Sequence, residues 1–141
     1  MKRFLGDLLA FVLLIVGDIL WRIIAKISTD MSSFITLHIT TMWLIWASIV
    51  AAGRAFIGII MLNERASPIV GLLEWILIFT VAHIFLCWSD TIWEPHDTFS
   101  TVLAFTLLPL FVPVVILSSA SYLVACLRAR RRRRPLSSYS H

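Results

Sequence analysis

Four long apolar segments, at about 4–24, 34–62, 68–88 and 101–127, fill most of the chain and are separated only by polar links. Each reaches the roughly 20 residues that carry an α-helix across a bilayer. A segment in hydrocarbon must satisfy every backbone N–H and C=O internally, which leaves helices as the solution for runs of this length. The links "AKISTDMSS", "NERAS" and "SDTIWEPHDTFS" are too short for a soluble domain. Short links favour antiparallel neighbours packed as a bundle.

The expected fold is an all-α integral membrane protein. It is a four-transmembrane-helix antiparallel bundle with short loops and a basic cytoplasmic tail. Composition agrees: 60% of the 141 residues are hydrophobic and 14% are charged, with a mean hydropathy of +0.92. A soluble chain of this size cannot hide so much apolar surface. Residues 1–127 are the expected membrane domain, and 128–141 an Arg-rich disordered tail. The stretch "MKRFLGDLLAFVLLIVGDILW" begins like a signal peptide. It lacks a small-residue cleavage site and runs on into Asp18 and Arg22, so it reads as a retained first span.

Basic residues set the expected orientation. Six of the twelve, Arg128, Arg130, Arg131, Arg132, Arg133 and Arg134, follow the fourth span directly. With that cluster in the cytoplasm, Lys2, Arg3 and Arg65 lie there too. The loop with Asp90, Glu94 and Asp97 falls outside and holds no Lys or Arg. Lys26 dissents, with Asp30 nearby. Trp88 and Trp93 bracket the outer end of the third span, as interfacial tryptophans do. At the headgroups each arginine gains about 1 kcal/mol against anionic lipid, so the cluster reads as a lipid-headgroup anchor. Without an aromatic platform or folded module, no nucleic-acid partner is expected.

Ionisable residues inside spans are costly and must face protein or water. Asp7 and Asp18, eleven positions apart, fall about 20° from each other on a helical wheel. Arg22 follows Asp18 at i+4. The first helix therefore carries a polar stripe of Asp7, Asp18 and Arg22, self-neutralised in part. Arg54 and Glu74 flank the second turn at matching offsets of about ten residues, roughly 15 Å along a helix. Equal depth on consecutive helices predicts an intramembrane ion pair between them.

Ala47, Ala51 and Ala55 form a small-xxx-small ladder for close helix packing. Pro109 and Pro113 should kink the fourth helix, with Ser118, Ser119 and Ser121 taking up loosened backbone bonding. Cys87 and Cys126 fall near opposite ends of their spans, too far apart for a disulfide. His38 and His83 lie about 12 Å apart in depth, which excludes a bis-histidine haem site between untilted helices. His96 beside Glu94 and Asp97 is a weak metal set. Metalloprotease, hydrolase, phosphate-loop and CxxC motifs are missing. No cofactor, metal or enzymatic activity is expected.

The expected function is an accessory or scaffold subunit of a membrane assembly, in a bacterial inner membrane, as a homo-oligomer or beside other membrane subunits. In general layout the chain is similar to phage holins, with few spans, short loops, a charged tail and polar residues within spans. That layout implies an oligomer that permeabilises the membrane. A small dimeric proton-coupled transporter centred on Asp18 is the third possibility, against which Arg22 counts.

Overall fold

In a computed structural model, which describes residues 1–27, 35–65, 67–93 and 98–133, the chain is almost entirely helical. Helix α1 spans Lys2–Ile27 and α2 spans Ile35–Phe56. A π-helical segment, Ile57–Met61, continues α2. Helix α3 spans Pro68–Trp93, and the last helical stretch is α4 (Phe99–Thr106), a second π-helical segment (Leu107–Phe111) and α5 (Val112–Arg133). Four of these helices are long and apolar enough to cross a membrane.

Local chemistry sets the boundaries. Pro68 opens α3, where its missing N–H costs nothing, and Ser67 precedes it. The Ser67 carbonyl accepts from Gly71 N–H at 3.1 Å, and its Oγ accepts from Ile69 N–H at 3.4 Å. At the far end of α2, Asn63 adopts the left-handed conformation (φ 55°). Glu64 N–H then reaches back to the Gly58 carbonyl at 2.9 Å, closing the helix end as a left-handed cap residue does.

Pro109 lies inside the second π-helical segment and Pro113 two residues beyond it. Neither ring can donate to the carbonyl four residues back. The stretch answers with a π-helical turn at Leu107–Phe111 rather than a simple break, a common accommodation inside α-helices.

The four sides of the bundle are α1 with α2, α2 with α5, α5 with α3, and α3 with α1. Helices α2 and α3, consecutive in sequence, face each other across the core, where the Trp43 and Phe79 rings meet at 5.7 Å. Ala47, Ala51 and Ala55 are buried on α2, as are Ser118, Ala125 and Ala129 on α5. Small residues on both helices let their backbones approach closely. Leu14, Trp75, Phe79 and Val114 fill the centre. Of the four spans, α1 buries the smallest share of its length, and Leu5, Val12, Ile19 and Ile23 on it are exposed.

The expected disordered tail from residue 128 is corrected for its first six residues, because α5 continues through Arg133. Arginine is a good helix former, and cations in the last turn offset the negative end of the helix dipole. Arg134 and residues 135–141 lie outside the described residues, as do Asp30, Glu94, His96 and Asp97. The side chains of Lys26, His38 and Trp93 are also outside them.

Candidate functional site

Arg54 is the most buried charged residue of the described chain, at 6% relative exposure. It projects from the last turn of α2 toward the first turns of α1. Its Nε donates to Asp7 Oδ1 at 2.8 Å, and its Nη2 lies 2.7 Å from the same oxygen. The other edge of the guanidinium meets Glu64 as a fork, Nη2 to Oε1 at 3.0 Å and Nη1 to Oε2 at 3.3 Å. Nη2 also reaches the Arg3 carbonyl at 3.5 Å. One cation thus serves two carboxylates, the arrangement that makes burial of an arginine tolerable.

Glycine makes the space. A Cβ at Gly6 would stand 3.0 Å from Arg54 Cζ, and one at Gly58 would collide with Arg54 Nη1 and Glu64 Oε2. The left-handed turn at Asn63 brings the Glu64 carboxylate back over this cradle.

The expected Arg54–Glu74 pair is corrected. Glu74 takes Arg3 instead, with Oε2 at 2.7 Å from Nη2 and 2.9 Å from Nε. The two residues stand on helices that face each other across the core, and α1 presents a partner to each. The expectation took consecutive helices as side-by-side neighbours, whereas α2 and α3 are not.

A second cluster lies toward the opposite ends of α1 and α3. Arg22 Nε bonds Asp18 Oδ2 at 2.5 Å, the expected i,i+4 pair. The same guanidinium also grips Asp90 of α3, through Nη1 to Oδ1 and through Nη2 to Oδ2 at 3.2 Å. Asp7 leaves the expected stripe for Arg54, so the stripe divides into two clusters that clamp α1 near its two ends.

Arginines of α5 touch the end of α2. Arg132 sits 5.9 Å above the Phe56 ring, and Arg133 Nη2 donates to the Ile60 carbonyl at 3.4 Å. These contacts were not legible beforehand, because they depend on α5 lying beside α2. Ser118 Oγ accepts from Trp75 Nε1 at 3.3 Å and donates to the Val115 carbonyl at 3.4 Å, so it bonds both across helices and within its own. Ser121 bonds the Leu117 carbonyl at 3.0 Å. Cys87 and Cys126 are both free and buried.

Comparison with protein-family models, with curated proteins and with solved structures finds no match. The site therefore rests on its own geometry: four helices able to cross a membrane, with α1 tied by arginine–carboxylate pairs to α2 and α3 near one end and to α3 near the other.

Proposed function

We propose that the protein is an integral membrane subunit that serves as an accessory or scaffold component of a larger membrane assembly. In this proposal its helices form an antiparallel bundle in a bacterial inner membrane, and both termini are cytoplasmic. The carrying observation is charge saturation. Asp7, Asp18, Glu64, Glu74 and Asp90 each contact an arginine. A proton carrier needs a carboxylate free to exchange its partners during turnover, whereas each of these is committed to an arginine. The ion pairs support a structural role, and the broad apolar face of α1 leaves surface for lipid or for another subunit.

Three experiments test this. Expression in bacteria should leave growth unaffected, with the protein in a membrane complex of fixed composition by native mass spectrometry. Abrupt growth arrest with release of cytoplasmic enzymes would establish the holin-like alternative. Proton flux into vesicles that disappears in Asp18→Asn would establish the transporter. For orientation, Ser100→Cys should react with an impermeant maleimide on intact cells, and Ser137→Cys only after permeabilisation. The reverse pattern overturns the cytoplasmic placement of the tail.

A further inference from the structure

Between the two ion clusters lies a third polar group that neither uses. His83 and Cys87, one turn apart on α3, are buried at 5% and 2% exposure. Thr106, the last residue of α4 before the second π-helical segment, completes a triangle with them. Cys87 Sγ is 3.6 Å from His83 Nε2 and 3.3 Å from Thr106 Oγ1, and Thr106 Oγ1 is 3.2 Å from His83 Nε2. Phe79 stacks on the imidazole at 6.5 Å and 12°, and Phe111 stands 5.1 Å from it. Two aromatic rings thus flank the imidazole.

We propose that Cys87 and His83 bind one Cu(I) ion, with Thr106 Oγ1 at the third corner. Geometry comes first. With metal–nitrogen and metal–sulfur bonds of about 2.0 and 2.3 Å, the 3.6 Å separation subtends roughly 115° at a metal, close to a trigonal angle. The donors come second: thiolate is the soft ligand that selects Cu(I), and imidazole also suits copper. Charge decides against the commoner alternative. A thiolate with Cu(I) and a neutral imidazole is uncharged overall, so it can sit in a dry interior without the cost of a buried ion. Zn(II) would leave one positive charge there and seeks four ligands. Among the described residues, no group of three or more His, Cys, Asp or Glu could supply them.

The route in is marked as well. Asp90 lies three residues beyond Cys87 on α3, and with Asp18 and Arg22 it forms a cluster of net charge −1 by formal count. Such a cluster concentrates cations at that end of the bundle. Binding exchanges the thiol proton for the metal, so each Cu(I) bound releases one proton to solvent. No change of oxidation state is involved.

The test uses the full chain in detergent micelles under anaerobic, reducing conditions, with Cu(I) supplied from its bathocuproine disulfonate complex. Wild type should withdraw one Cu(I) per chain and release one proton per ion. X-ray absorption should show a single sulfur with nitrogen or oxygen neighbours. Cys87→Ser and His83→Phe should each weaken binding at least 100-fold, while Cys126→Ser should bind as wild type does. Retention of copper by folded Cys87→Ser, loss in Cys126→Ser, or failure to compete with the chelator overturns the site. Should Cys87→Ser misfold, the wild-type sulfur count still decides, since zero or two sulfurs exclude it. Equally tight binding of one Zn(II) per chain overturns the assignment to Cu(I).

Discussion

Arg54 Nη2 and Asp7 Oδ1 lie 2.7 Å apart, joining the last turn of α2 to the first turns of α1. The Arg54 side chain is 5% exposed, so removing it strands two carboxylates that share one cation. Arg54→Gln should therefore cost about 3–5 kcal/mol, the range for breaking a buried pair. Asp7→Asn should cost less, because Glu64 still answers the guanidinium. A double-mutant cycle should give a coupling of about 0.5–3 kcal/mol for Arg54 with Asp7 and near zero for Arg54 with Glu74. Unfolding in mixed micelles measures both cycles. A larger coupling to Glu74 would reject the arrangement around Arg54.

The glycines of the cradle make a sharper contrast. At Gly58 an added methyl meets the Arg54–Glu64 pair itself, whereas at Gly53 it meets nothing within 4 Å. Gly58→Ala should destabilise by about 1–3 kcal/mol, as overpacking does. Gly53→Ala should be neutral or stabilising by up to about 1 kcal/mol, since alanine is the better helix former. Thermal unfolding of the two variants in the same detergent provides the comparison. A more damaging change at Gly53 than at Gly58 contradicts the packing described.

Arg22 invites a different experiment, because it is shared and half-exposed. Its side chain is 45% exposed, against 14% for Asp18 and 23% for Asp90. Asp18→Asn and Asp90→Asn each leave one partner in place, and each should shift stability by no more than about 1 kcal/mol. Arg22→Gln leaves two carboxylates facing one another and should exceed either single change. Raising the salt concentration should shrink all three effects, because exposed charges are screened. Effects insensitive to salt would mean the cluster is sealed from solvent.

How much of this could be read from the sequence depends on which coordinate was asked for. Depth along a helix follows from counting, and the spans near 4–24, 34–62 and 68–88 came from it. The i,i+4 relation of Asp18 and Arg22 is likewise local. The partner of Arg54 depends on azimuth and on the order of helices around the bundle. That order is set by the buried alanines of α2 meeting the small residues of α5, far apart in the chain. Asp90 was out of reach for the same reason. Thr106 reaches His83 beside a wide turn that prolines 109 and 113 favour but do not specify.

The arginines after the fourth span give the remaining prediction. If they act by charge, lysines at Arg130 to Arg134 should preserve helix length, orientation and attachment to anionic vesicles. Glutamines should weaken attachment, and raised salt should imitate that loss. Vesicle flotation with each variant reads the effect. A lysine variant that fails at unchanged net charge would show that a partner reads the planar guanidinium fork, which an ammonium does not replace.

Because α5 stays helical through Arg133, its arginines do not trail as a string. Successive residues step by about 100°, so Arg130 to Arg133 point to all sides of the rod, forming a collar. A collar works at any tilt: whichever way the rod leans in the proposed orientation, some guanidinium still meets the headgroups. It also acts as a depth stop, since pulling α5 into the bilayer would drag every arginine through hydrocarbon at once. Arg132 and Arg133, seated on Phe56 and the Ile60 carbonyl, key that collar to α2 and so also fix its rotation.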